Sequence, residues 1–180
     1  LLIGGKNSNQ QVVGQVLEFD PATNQWNQKA SMPTARHGLK TVLLDGKVWV
    51  IGGQGSATGS NKTEIYDPAN DSWTTGPTLS APRHWPIAWV ANGRIYLAGG
   101  ANGSNRLNSV EVYDPSTNQW TPAGSLPEIK DNTGAAILGN KVYIVAGAKG
   151  VSLGKTDKVF AADLISHRDL YFREANATAP

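Results

Sequence analysis

The chain has 180 residues, 39% of them hydrophobic, with 20 glycines and 10 prolines, a composition that supports one well-packed domain and argues against a helical bundle. A formal charge of +2, with no Lys/Arg stripe, argues against nucleic acid or an anionic membrane as partner. The absence of cysteine excludes disulfides, thiol catalysis and Cys-bound metals, and no apolar run approaches the roughly 20 residues that cross a bilayer.

The opening "LLIGG" reads as the middle of a strand stopped by Gly4-Gly5. "VLEFDPATNQW" then gives a strand, a turn and a short strand carrying Trp26. In that turn Asp20 can bond its own following backbone, and Pro21 presets φ. The second unit is fuller. "LKTVLL" and "KVWVIGG" flank Asp45-Gly46, a pair that accepts positive φ in a two-residue hairpin. "EIYDPANDSW" follows, so four strands are expected: A over 39–44, B over 47–53, C over 63–67 and D over 72–74. The third unit repeats the order with Asn92-Gly93, "RIYLAGG" and "VEVYDPSTNQW". The fourth offers "GAAIL", Gly139-Asn140 and "KVYIVAG", then loses the pattern. Each B segment is apolar on both faces, as a strand covered on both sides must be.

Phe19, Tyr66, Tyr113 and Phe160 are each 47 residues apart. The same step relates Asp20, Asp67 and Asp114; Trp26, Trp73 and Trp120; Met32, Leu79 and Leu126; and Arg36, Arg83 and Lys130. Paired glycines recur as Gly52-Gly53 and Gly99-Gly100, with Ala146-Gly147 a weaker fourth copy. One extra residue lies between Gly5 and Phe19, so that segment tolerates length changes as loops do. A sheet apolar on both faces is stable only between neighbours, so this period predicts an all-β propeller of four-stranded antiparallel blades. Helical repeats of similar length fail, because Gly-Gly, Asp-Gly or Asn-Gly and Asp-Pro would interrupt every helix.

Paired glycine, aromatic-Asp-Pro, Trp six residues after the Asp, then Pro and Arg: these features resemble the Kelch repeat, in three units and over nearly the whole chain. The resemblance implies a propeller of the kind found in the galactose-oxidase-like superfamily, with about four blades present. They are expected over 1–27, 37–74, 84–121 and 131–173 of one domain spanning 1–174, with 175–180 the start of a polar linker. The first blade lacks its inner strand. The last is degenerate: it keeps Phe160, has no Asp-Pro, and puts His167 where Trp is expected. Kelch proteins close a ring, often of six or seven blades. Either further blades or domains of the same parent chain complete it, which is the expectation here, or four blades make a small ring.

Alternating strand direction puts the A–B and C–D turns on one side of the disc and the B–C and D–A connections on the other. The C–D turns are stereotyped ("DPATNQW", "DPANDSW", "DPSTNQW"), whereas the B–C loops "KNSNQQVVGQ", "QGSATGSNK", "ANGSNRLNS" and "AKGVSLGKTD" diverge. Divergence confined to one side is what a binding face on a repetitive scaffold produces, and drift of surface loops explains it as well. The D–A connections place Arg36, Arg83 and Lys130 at one position, followed by His37, His84 and Asp131, then by Gly38, Trp85 and Asn132. These eight residues other than Gly38 are the candidate ligand-binding set. By the resemblance the basic position is commonly a structural donor between blades, and partner contacts often fall one or two residues beyond it. Trp85 is not demanded by repetition, and an exposed Trp can stack on a sugar or anchor a peptide; packing is the competing role. Trp89 is expected in the core.

His37, His84 and Asp131 would make a two-histidine, one-carboxylate set across adjacent blades. Repetition alone accounts for the histidines, so no metal and no cofactor are assigned. Some Kelch-like propellers are enzymes. The copper-radical type needs a Tyr–Cys cross-link and is excluded for this segment. A sugar mutarotase or epimerase would need an acid/base pair, for which Arg36, His37, His84, Glu128 and Asp131 are the candidates without any spacing that singles out two. The reading is therefore a non-catalytic module within a larger protein that binds a protein, peptide or glycan through the B–C and D–A face. The alternative is a carbohydrate-processing propeller with part of its site elsewhere. An extracellular or cell-surface setting is favoured over the cytoplasm. Asn61, Asn70, Asn102 and Asn176 lie in Asn-x-Ser/Thr patterns, which an Asn-rich chain produces by composition.

Overall fold

The computed structural model describes residues 1–55, 59–145, 158–164 and 170–175, and among them there is no helix. Blade 1 joins β1 (Leu2–Ile3), β2 (Val16–Asp20) and β3 (Gln25–Lys29). Blade 2 joins β4 (Lys40–Leu44), β5 (Lys47–Ile51), β6 (Thr63–Asp67) and β7 (Ser72–Thr75) in chain order. Blade 3 is β8 (Ile87–Ala91), β9 (Arg94–Ala98), β12 (Ser109–Asp114) and β13 (Gln119–Ser125), with a small hairpin of β10 (Ala101–Asn102) and β11 (Asn105–Arg106) in its B–C loop. Blade 4 is β14 (Gly134–Leu138), β15 (Lys141–Val145), β16 (Val159–Asp163) and β18 (Arg173–Glu174), while β17 (Leu170–Tyr171) crosses to pair with β13. The A–B hairpins turn on Asp45 and Gly46 at φ 50° and 73°, and on Asn92 and Gly93 at 51° and 69°. Positive φ at both central residues matches the twist of the flanking strands, which is why the sequence spells Asp-Gly and Asn-Gly there.

The inner strand β8 lies between β4 and β14 and touches both, so the sheets fan out from one axis. Faces meet blade to blade. Leu44, Trp49 and Ile51 of blade 2 pack on Ile95, Leu97 and Tyr113 of blade 3, with the Trp49 and Tyr113 rings 4.5 Å apart. Trp89, Tyr96 and Ala98 of blade 3 pack on Val142, Ile144 and Ala162 of blade 4. Trp89 is buried, as expected for a core residue. At the outer rim the repeat Trp fastens neighbouring blades: Trp73 Nε1 donates to the Ala30 carbonyl at 2.8 Å and Trp120 Nε1 to the Pro77 carbonyl at 3.2 Å.

Blade 4 corrects the sequence reading in register. Val50 faces Glu64 and Leu97 faces Glu111, but Ile144, their counterpart 47 residues on, faces Phe160. Phe160 therefore occupies the glutamate position rather than the aromatic one, which falls to Ala162 opposite Val142. The B–C connection has gained two residues, a length change that a surface loop absorbs without disturbing the sheet. Asp163 then takes the place of Asp67 and Asp114: its 2.6 Å pair with Lys141 matches Lys47–Asp67 and Arg94–Asp114. The last strand pairs Phe160 with Glu174 and Ala161 with Arg173. In blade 3 Glu111 faces Pro122 and Val112 faces Thr121, so Phe172, not His167, stands where Trp120 stands. Phe172 packs edge-on against Trp89 with ring centroids 6.2 Å apart. Three residues are added to the C–D turn, and Leu170 and Tyr171 use them to pair with Gly124 and Ser125 of blade 3. His167 and Ala146-Gly147 lie outside the described residues.

The stereotyped turns are carboxylate caps. Asp20 accepts from Ala22 N and Thr23 Oγ1, and Asp67 from Ala69 N and Asn70 Nδ2. Asp114 accepts from the Ser116 hydroxyl and amide and from Arg94, which pull its carboxyl from 3.8 to about 2. A carboxyl depressed on folding contributes stability above its unfolded pKa and loses it as pH falls through the folded one. Urea midpoints are thus expected to fall between about pH 4 and pH 2, and less steeply in Asp114→Asn. A midpoint flat across that window, or an unchanged slope in the variant, contradicts the linkage.

Candidate functional site

The D–A connections approach the axis through a residue in the left-handed region in each of three blades: Gly38 at φ 61°, Trp85 at 51° and Asn132 at 50°. That conformation turns each peptide toward its neighbour. Trp85 N donates to the Gly38 carbonyl at 2.6 Å, and Asn132 N to the Trp85 carbonyl at 3.1 Å. Gly and Asn adopt it readily, whereas an ordinary side chain costs about 1–2 kcal/mol there, and the following Pro86 restricts the backbone of Trp85 further. The strain at Trp85 is held by its two hydrogen bonds and by packing, a pattern that gathers at ligand clamps. The indole lies over Gly38: a Cβ on that glycine would stand 2.6 Å from Trp85 Nε1. Trp85 keeps 36% of its surface exposed.

Beneath the indole the His84 ring stands edge-on, 4.6 Å between centroids. Its backbone is locked to Ala101 by two 2.8 Å bonds, and its buried Nδ1 has no partner. Burial chiefly, then the Arg106 cation, pushes the imidazole pKa below its ordinary value, against the opposing pull of Asp131. Arg106, projecting from the B–C hairpin of blade 3, pairs with the buried Asp131 of the blade 4 connection at 2.5 Å. His37 is bridged to Gln54 through the backbone, and burial followed by the Lys6 charge lowers its pKa. No group of three or more His, Cys, Asp or Glu side chains poised for a metal occurs among the described residues.

Arg36, Arg83 and Lys130 are fully buried. Arg36 donates to the carbonyl oxygens of Gly52, Val50 and Thr34 and pairs with Glu64 at 2.5 Å. Arg83 pairs with Glu111 at 2.5 Å. Lys130 donates to the Lys158 carbonyl and sits 4.6 Å above the ring of Phe160, which stands where its neighbours have glutamate. The structure therefore brings His84, Trp85, Asp131 and Asn132 together at one end of the axis, with only Trp85 and Asn132 well exposed there. Arg106 escaped the sequence reading because its partner Asp131 lies in the next blade, at a position that the other units fill with His37 and His84. Two cavities, of about 400 and 570 Å³, open on the face of blade 4 and on the outer rim between blades 3 and 4. Neither is lined by the axial residues.

The family model described as the KLHDC2/KLHL20/DRC7 Kelch-repeats domain matches residues 1–147. Beta-scruin of Limulus polyphemus is 37% identical over 60 residues, 33% of this chain and 7% of that protein. Kelch-like protein 38 of Rattus norvegicus is 40% identical over 53 residues, 29% of this chain and 9% of that protein. Kelch repeat and BTB domain-containing protein 12 of Danio rerio is 39% identical over 41 residues, 23% and 7% respectively. The matches thus span less than a tenth of these relatives' own length. Among solved structures, YjhT superposes with a TM-score of 0.75 at 20% identity, covering 92% of this chain and 59% of that one. At such identity the likeness is one of fold.

Proposed function

The chain belongs to the Kelch-repeat family, and from that premise we propose that it is a non-catalytic protein-interaction module whose partner docks on the axial B–C and D–A face, anchored by Trp85. One observation carries this reading: Trp85 is a half-exposed indole held rigid in a strained backbone where its equivalents are Gly38 and Asn132. A rigid, amphipathic anchor loses little entropy on binding, which is why Trp dominates interface energetics. Of the other exposed large hydrophobics, Leu2, Phe19 and Trp26 lie on strands of blade 1, Ile137, Leu138 and Val145 on strands of blade 4, and Leu43 on the inner strand of blade 2. Four of the five acid/base candidates support binding over sugar processing: Arg36, His84 and Asp131 are buried and Glu128 pairs with Lys158 at 3.3 Å, which leaves His37, half-buried, as the fifth.

Selection from a displayed random-peptide library is expected to enrich ligands that Trp85→Ala binds at least tenfold more weakly, a loss of about 1.4 kcal/mol or more. Enriched peptides that bind the variant with unchanged affinity overturn the anchor, and a library that yields none overturns the reading.

A further inference from the structure

The indole on the axial face rests on a buried imidazole. His84 is 3% exposed, and its ring meets Trp85 edge-on at 4.6 Å. Backbone contacts hold both residues in place. His84 exchanges two 2.8 Å hydrogen bonds with Ala101, and a Cβ on the adjacent Gly100 would stand 2.8 Å from the His84 carbonyl oxygen. Trp85 is held at φ 51° between bonds to Gly38 and Asn132. Among the described residues His84 Nδ1 has no hydrogen-bond partner. A neutral imidazole tolerates that as a bare acceptor. The imidazolium makes both ring nitrogens donors, so it leaves a charged N–H unsatisfied, which costs more.

The charged and titratable groups around His84 come from three loops. Arg106 projects from the B–C hairpin of its own blade, Asp131 from the D–A connection of blade 4 and His37 from that of blade 2. Arg83, the preceding residue, is engaged by Glu111. Asp131 is the carboxylate of this cluster, and it is already paired with Arg106 at 2.5 Å, the two side chains being 3% and 10% exposed. Protonating His84 sets a second cation beside one carboxylate. Asp131 neutralises one of them, and the other stays as a buried, uncompensated charge. The imbalance reaches Trp85 by two routes. One is the ring contact, and the other is the Asn132 amide next to Asp131, which donates to the Trp85 carbonyl at 3.1 Å. Burial first, then Arg106, lowers the His84 pKa, with a smaller push from His37 and against the pull of Asp131.

We propose that His84 is a proton-sensitive positioning residue for the axial anchor, a regulation that rests on docking at Trp85: neutral, it supports the indole in the binding arrangement, and protonated, it disrupts the Arg106–Asp131 pair and releases the partner. A partner seated on Trp85 buries the imidazole further, so the bound form resists the proton more than the free form does. By linkage the proton then weakens binding. With the folded pKa below the ordinary 6.5, affinity is constant in neutral solution and falls through that folded pKa, by about tenfold per pH unit beyond it. His37, the counterpart 47 residues back, is half-buried and is followed by Gly38 rather than an indole, which makes it the internal control.

The test begins with the chain alone. An imidazolium quenches an indole it touches, so the emission of Trp85, taken as wild type minus Trp85→Phe, is expected to fall on acidification with a midpoint below 6.5. His84→Gln is expected to abolish that titration and His37→Gln to leave it. The chain has three histidines, so NMR titration of their ring protons in the wild type gives the same midpoint without a substitution. A peptide selected on the axial face and free of titratable groups is then measured between about pH 7.5 and about pH 4.5. Wild type and His37→Gln are expected to lose affinity below the midpoint, and His84→Gln to bind alike across the range. Trp85 emission that does not titrate there overturns the proposal, as does peptide affinity that stays flat in the wild type or falls equally in His84→Gln. A selection that yields no peptide overturns the docking reading and the release with it, and a persisting emission titration distinguishes that failure from the loss of the His84–Trp85 contact.

Discussion

Arg83→Ala is expected to destabilise the fold by about 3–5 kcal/mol, the usual consequence of removing one partner from a buried ion pair. The guanidinium is wholly buried between blades 2 and 3. Its Nη1 donates to the carbonyls of Gly99 and Ser109, and its Nη2 to Ser109 Oγ and to Glu111 at 2.5 Å. Burial lowers its pKa against the raising effect of Glu111, which marks the desolvation that the pair offsets. Without the cation, Glu111 keeps one amide donor, Ser80 N at 2.9 Å, but is left as a buried carboxylate. The double variant Arg83→Met/Glu111→Leu removes both charges and is expected to recover most of the loss, since two apolar side chains of similar volume leave nothing uncompensated. Blade 4 already makes a related substitution, with Lys130 over Phe160. Urea midpoints measure both variants. An Arg83→Ala loss below about 1 kcal/mol, or a double variant no better than the single, contradicts the assignment.

The fold was legible because the repeat is written in residues with one conformational meaning. Asp-Gly and Asn-Gly specify the inner hairpins, Asp-Pro the outer turns, and paired glycines the ends of the B strands. Blade 4 was legible only in part, because a 47-residue step in sequence is not a register. Phe160 keeps the step, yet hydrogen bonding puts it where Glu111 stands, and the two added residues fall in a loop without pattern. His167 misled for the same reason, since the turn that precedes the last strand is three residues longer. At the axis, the sequence singled out Trp85 as a departure from repetition but not why the departure is costly. That follows from the backbone: the position needs positive φ to hand a carbonyl to the next blade, and only Gly38 and Asn132 take it without strain. Burial of Arg36 and Arg83 depends on partners 28 residues away, Glu64 and Glu111, which carry no local signature as acceptors.

Gly99→Ala is expected to cost on the order of 3 kcal/mol or more, through two causes that a control separates. The first is conformational: Gly99 sits at φ 61°, where a side chain costs about 1–2 kcal/mol. The second is contact. An added Cβ would stand 2.3 Å from the Lys130 carbonyl oxygen, the same carbonyl that accepts from Gly100 N at 2.8 Å. The arrangement repeats along the axis: Gly4 abuts the Arg36 carbonyl and Gly52 the Arg83 carbonyl, while Gly5 and Gly53 donate to those same oxygens. The first glycine of each pair thus lets the next blade's connection approach, and the second bonds it. Backbone cannot yield as a side-chain tip can, so the Lys130 connection must shift, taking with it the Asn132 amide that bonds the Trp85 carbonyl. Gly93→Ala isolates the conformational cause, because Gly93 has φ 69° but nothing within 4 Å of its would-be Cβ. Its expected loss is about 1–2 kcal/mol, with Trp85 undisturbed and peptide binding intact. In Gly99→Ala the urea midpoint should fall further and binding at the axial face should weaken as well. Equal losses in the two glycine variants would mean that the paired glycines serve only the backbone conformation, and that the close approach between blades contributes nothing.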